Sequence, residues 1–134
     1  MKRVNIKETV ESQIYETLLR YEEYLDFIDY AEKNDYTDID YIQDITERVS
    51  YVNALYADSD IYKTLDYTEV VVLDYIIDRC SVDDIIRRVE SLYGEVIDYL
   101  DIKLIIKSVS QKLVDIAMRV HDEHEDLQVA TVDE

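Results

Sequence analysis

The side chains most able to do chemistry in this chain are carboxylates. Between Tyr21 and Glu47 the sequence reads YEEYLDFIDYAEKNDYTDIDYIQDITE, with ten acids and a single base, Lys33. Glu23, Asp26, Asp29, Glu32, Asp35 and Asp38 follow one another at intervals of three. On a helix each such step rises about 4.5 Å and rotates about −60°, so the charges lie in a slowly winding row. Bases at the four-residue spacing that would neutralise the row are largely missing. A row of fixed anions can hold guanidinium and ammonium groups, and it catalyses nothing by itself.

Other reactive patterns are thin. His121, His124 and Glu125, in HDEHED, resemble a metal-ligand cluster, but no further ligand stands near them and the HExxH spacing is absent. The acids at 35–40 and 58–60 lack the glycine and the twelfth-position glutamate of a calcium loop. One glycine, Gly94, cannot build a phosphate-binding loop. Cys80 has no histidine close in sequence and reads as a small core hydrophobe. Nothing assembles a nucleophile, a base and an oxyanion site, so the expectation is a non-enzyme with no metal and no cofactor.

The charge is unevenly spread. The chain carries 32 acids and 14 bases for a net −18, yet residues 8–78 alone hold 19 acids and four bases. That half is the polyanion, and the remainder contributes only −3. Self-repulsion of this size opposes compaction, which suggests that the charge has a use. It disfavours direct contact with nucleic acid or an anionic membrane, and favours a protein partner with a basic groove. Duplex DNA bears one charge per about 1.7 Å, so a dimer at twice −18 matches roughly 60 Å of duplex. The carboxylates expected to stand for phosphates are Glu16, Glu22, Glu23, Asp26, Asp29, Glu32, Asp35, Asp38, Asp40, Asp44, Glu47, Asp58, Asp60 and Asp66.

Tyrosine supplies thirteen of the fourteen aromatics, and nine of the thirteen adjoin an acid. Such rings can cover a core while the hydroxyl stays wet, or flank the carboxylates and offer a face to a partner's cations.

The elements that must position these groups are helical. At 134 residues and 48% hydrophobic content the chain is one domain able to bury a core, and without proline it has few breakers. Val10, Ile14, Leu18, Tyr21, Leu25 and Ile28 step along one face of a helix over about 7–33. Thr37 with Asp40 predicts a capping box for a second helix carrying Ile39, Ile42, Ile45, Val49 and Val52. Asp58 or Ser59 caps a short helix through Ile61 and Leu65. The β-branched run 70–77 fits a strand or a buried helix, and helix is preferred because a lone strand has nothing to pair with. Ser81 with Asp84 predicts another capping box, opening one long helix whose ladder runs through Ile85, Val89, Leu92, Val96, Leu100 and Ile102 to Ile116, bent or broken at Gly94. The pattern fades over 119–134, which reads as a frayed tail. The fold class is therefore all-α: short N-terminal helices packed with a long C-terminal one in an elongated acidic domain. The lone cysteine and the absence of an apolar run suit a reducing cytosol.

The segments VDDIIRRVESLYGEVIDYL, from Val82 to Leu100, and ALYADSDI, from Ala54 to Ile61, resemble the Ocr antirestriction proteins of short-tailed phages. The spacing between the two blocks also agrees. The resemblance implies an all-α homodimer in the host cell cytoplasm that imitates bent DNA and occupies the groove of a type I restriction–modification enzyme. By position it places the dimer interface near Val49, Val52, Leu55 and Tyr56. A CRISPR effector blocked by the same mimicry, and an acidic adaptor of a basic protein, are the alternatives.

Overall fold

A computed structural model describes residues 6–35, 37–58 and 60–132, with side chains described within 7–119. Among the described residues the chain is all-α, with seven helices. They are α1 (Ile6–Leu19), α2 (Tyr21–Lys33), α3 (Ile39–Tyr56), α4 (Ile61–Thr64), α5 (Tyr67–Ile77), α6 (Val82–Tyr93) and α7 (Tyr99–Val132).

The long helix α7 is the spine against which α1, α5 and α6 pack, while α2 packs on α3 and α5. Its ladder Ile102, Ile106, Val109, Leu113 and Ile116 is buried throughout. Ile14 and Leu18 of α1, Val72, Leu73 and Ile76 of α5, and Ile85 and Val89 of α6 join them in one core. Each of these side chains contributes roughly 1.5–3 kcal/mol by leaving water. The run 70–77 is helical: α5 buries Val72, Leu73 and Ile76, and it opens on a capping box in which Asp66 and Glu69 bond each other's backbone N–H. Helical backbone extends through the segment read as a tail, to Val132.

The N-terminal helix predicted over 7–33 is two helices. Arg20, at φ −112° and ψ 20°, separates α1 from α2. Backbone hydrogen bonds persist on either side, from Arg20 N–H to the Glu16 carbonyl and from Tyr24 N–H to the Arg20 carbonyl. The change of direction lets α2 pack on α3 and α5 while α1 stays on α7. No glycine or proline marks the break, so tertiary packing causes it. The cap of α3 also moves by one residue: Asp38, not Thr37, accepts the Tyr41 N–H at 3.1 Å. Ahead of α4, Asp58 accepts the Asp60 N–H at 2.9 Å, while the alternative cap Ser59 lies outside the described residues. Ser81 caps α6 by accepting the Asp84 N–H, as the sequence predicts.

Gly94 ends α6 rather than bending it. It adopts φ +67°, and its N–H caps the Glu90 carbonyl at 2.8 Å. The space around its α-carbon is open. Gly94→Ala should therefore cost only the left-handed backbone strain, about 1–2 kcal/mol in urea unfolding. A larger loss would mean that a side chain there meets something. After Gly94 the chain restarts at Asp98, whose carboxylate accepts the Asp101 N–H while that of Asp101 accepts the Asp98 N–H. Leu92, in the last turn of α6, and Val96 and Leu100 beyond it leave the core face predicted for them and are exposed.

The residues expected at an interface, Val49, Val52, Leu55 and Tyr56, lie largely inside the single chain. Val49, Val52 and Leu55 are buried within the single chain, and Tyr56 is half-buried with its hydroxyl on Asp74. Val49, Val52 and Leu55 fill the core and expose almost nothing, while Tyr56 keeps part of its surface.

Candidate functional site

Helices α2 and α3 carry most of the acidic stretch as an antiparallel pair. The Tyr21 hydroxyl, at the start of α2, donates to Asn53 Oδ1 near the end of α3 at 2.7 Å. Phe27 meets the edge of Tyr41, with ring centroids 5.0 Å apart. Each helix has one apolar side: Tyr21, Tyr24 and Ala31 on α2, and Ile45, Val49, Val52 and Leu55 on α3. Opposite these sides stand Glu22, Asp26 and Asp29 on α2, and Asp40, Asp44 and Glu47 on α3. Both sets follow a four-then-three spacing, which keeps one face of a helix.

The winding row is therefore interrupted. Glu23, Asp26, Asp29 and Glu32 lie on α2, but Asp35 sits in the connection at φ +48° and Asp38 is the cap of α3. The helix ends at Lys33 because Asn34 and Asp35 turn the chain, as the sequence suggests.

Half of the fourteen predicted carboxylates are ion-paired. Arg79 Nη2 reaches both Asp26, at 3.0 Å, and Asp29, at 2.6 Å. Arg119 holds Asp60 at 2.6 Å and Asp58 at 3.3 Å. Arg48 joins Asp44 to Glu16, and Arg20 joins Glu16 to Glu23. The hydrogen bond to Asp29, then that to Asp26, raises the Arg79 pKa above its ordinary value. These pairs are exposed or half-buried, so each contributes little to stability, but each lowers the charge left for a partner.

Glu22, Glu32, Asp35, Asp38, Asp40, Glu47 and Asp66 make no ion pair among the described residues. Asp38 and Asp66 serve as helix caps through backbone N–H groups, and Glu47 accepts from Gln43 at 3.1 Å. None of those contacts cancels a charge. Four of the seven, Glu32, Asp35, Asp38 and Asp40, cluster around the α2–α3 connection, where the only described base is Lys33.

The tyrosines divide between two roles. Tyr21 and Tyr24 are buried, and burial raises the pKa of both phenols. Tyr30, Tyr41 and Tyr51 are exposed beside acids of α2 and α3, while Tyr36 lies outside the described residues. Between α1 and α3 a cleft of about 280 Å³ is lined by Gln13, Thr17, Asp44, Glu47, Arg48 and Tyr51, among others. Its carboxylates and phenol suit a basic group, while the Thr17 hydroxyl is already committed to the Gln13 carbonyl at 2.7 Å.

The structure adds a group that the sequence reading missed. Glu69, on α5, is buried and accepts from Lys112 Nζ, Ser108 Oγ and the Asp66 N–H. Burial pushes its pKa up, but the bonds from Lys112 and Ser108 outweigh this and leave it below the ordinary carboxylate value. The Asp66-x-x-Glu69 spacing was the available signal. Its side-chain partners, Ser108 and Lys112, belong to α7, and the arrangement ties α5 to α7.

Among the described residues no three His, Cys, Asp or Glu side chains gather to hold a metal, and the side chains of His121, His124 and Glu125 lie outside that set. No helix among them is long and apolar enough to cross a membrane. Comparison with protein-family models, curated proteins and solved structures gives no match for this chain.

Proposed function

We propose that this chain is a DNA mimic that inhibits a host defence enzyme, with carboxylates taking the place of phosphates in a basic groove. The observation that carries the reading is the group of carboxylates without ion pairs around the α2–α3 connection and along α3. They are held on helices and caps rather than on a disordered tail, so their spacing is fixed before binding and less ordering entropy is lost. The target class is a type I restriction–modification enzyme, as the resemblance suggests, or a CRISPR effector with a comparable basic channel.

The test is competition. Purified chain is titrated into a type I restriction enzyme at low and high salt, with and without excess duplex DNA. Binding that weakens with salt and is displaced by DNA supports mimicry, because both ligands then use the same basic groups. A complex that persists in excess DNA rejects it.

A second reading is an acidic helical adaptor for a basic protein outside defence. The ion pairs of Arg79 and Arg119 favour it, since they remove four carboxylates from any phosphate-like series. Salt-sensitive capture of a basic protein that never binds DNA would select this reading.

A further inference from the structure

Arg79 stands where the backbone favours glycine. Helix α5 ends in a turn in which the Cys80 N–H bonds the Tyr75 carbonyl and the Arg79 N–H bonds the Ile76 carbonyl, both at 3.0 Å. A turn of this kind places one residue in the left-handed region, and here it is Arg79, at φ +66°. Glycine holds such a position without strain, as Gly94 does at the end of α6, whereas a residue with a β-carbon does not. Asp35, the other non-glycine at positive φ among the described residues, has the short polar side chain that tolerates this backbone. Arginine lacks that excuse.

What the side chain does in return is not mainly stabilising. It reaches across to α2, where Nη2 bonds Asp29 at 2.6 Å and Asp26 at 3.0 Å. Arg79 is 42% exposed and the two carboxylates more so, a setting in which ion pairs add little to folding. Arg119, by contrast, holds Asp58 and Asp60 from within regular helix α7, with no strained backbone. A strained arginine retained for a contact of small folding value points to a role outside folding.

We propose that Arg79 is an internal competitor, an autoinhibitory contact that covers Asp26 and Asp29 until a partner's cationic side chains displace it. Its role presupposes that the acidic face is the surface a partner takes, as the mimicry reading has it. Exchange of one exposed guanidinium for another has little net cost, so the contact masks the carboxylates without locking them. Glu22, one turn before Asp26 on the same side of α2, makes no ion pair among the described residues. Release of Arg79 therefore opens an unbroken run of Glu22, Asp26 and Asp29. An isolated cation gains nothing by replacing Arg79, whereas a partner with several cations in a row engages the neighbouring free charges as well, so the contact selects for a continuous basic surface.

The probe is a fluorescent octa-arginine peptide titrated into the chain at about 0.15 M salt, where charges more than about 8 Å apart are largely screened. Arg79→Gly should bind it about three- to tenfold more tightly than the parent, because two carboxylates lose their own cation. Lys107→Ala, on α7, removes the same charge elsewhere and should change the affinity less than about twofold. Adding Asp26→Asn and Asp29→Asn to Arg79→Gly should abolish the gain. Glycine suits the turn, so Arg79→Gly should unfold in urea no earlier than the parent. Binding of Arg79→Gly no tighter than that of Lys107→Ala, or no peptide binding by any of these chains, overturns the inference; earlier unfolding besides would make Arg79 a pin between α5 and α2. The peptide measurement contains neither DNA nor a defence enzyme, so displacement by duplex decides the mimicry reading separately.

Discussion

Lys112→Ala should lower the folding free energy by about 2–3 kcal/mol, because it leaves the buried Glu69 carboxylate without its cation. The lower end of the range for broken buried pairs applies, since Lys112 itself is 38% exposed and water can partly replace it. Glu69→Gln with Lys112→Met should lie within about 1 kcal/mol of the parent, because no charge is then buried and glutamine still serves the capping box. The pH dependence fixes the mechanism. In the parent, Glu69 titrates below its ordinary 4.5, so its contribution is complete above that pH and is lost as pH falls through the lower folded value. In Lys112→Ala the burial remains and the main counter-charge is gone, so the folded pKa rises above the unfolded one. The deficit should then shrink between pH 7 and pH 5 as the carboxylate is protonated. Urea unfolding of the three proteins at both pH values reads this directly. An equal deficit at both would show that Lys112 acts through packing alone.

The largest functional effect is expected from charges that the fold leaves free. Replacing Glu32, Asp35, Asp40 and Glu47 by their amides should weaken binding to the defence enzyme some 30- to 1,000-fold. That follows from about 0.5–1 kcal/mol for each carboxylate facing a basic group. The matched variant Asp26→Asn, Asp29→Asn, Asp58→Asn, Asp60→Asn removes the same total charge, yet its carboxylates are already occupied by Arg79 and Arg119. It should lose less than tenfold. Long-range steering is the same for both variants, so the difference reports which charges touch the partner. Fold damage is small by design: asparagine suits the left-handed backbone of Asp35, and glutamine can keep the Glu47 contact with Gln43. Equal losses in the two variants would reduce the interaction to bulk charge.

Wherever local periodicity decided the outcome, the fold was legible in the sequence. The ladder Ile102 to Ile116 is the spine of the core, the Ser81 cap is present, and the β-branched run 70–77 is a buried helix. The errors are long-range. Nothing near Arg20 breaks a helix; the break follows from α1 and α2 packing on different partners. Leu92, Val96 and Leu100 keep helical spacing in the sequence, but all three are exposed, and the left-handed Gly94 ends the helix ahead of Val96 and Leu100. The free and the occupied carboxylates looked alike, because Arg79 lies 50 and 53 residues from the two acids it binds. Of the residues expected at an interface, Val49, Val52 and Leu55 are buried in the single chain, a burial that periodicity alone did not announce.

The packing of α1 on α7 has a consequence for the order of assembly. Lys7 meets Asp115 at 3.0 Å across that contact, so α1 completes its packing only after α7 has been synthesised, although α3 is available to it earlier. Closing a loop of that length costs about 1 kcal/mol more than closing the 32-residue one between Tyr21 and Asn53. The α2–α3 hairpin can thus form on the nascent chain and meet α1 while the larger contact of α1, with α7, still waits for that helix to leave the ribosome. Repulsion between the acidic hairpins of neighbouring chains opposes contact between such half-made molecules.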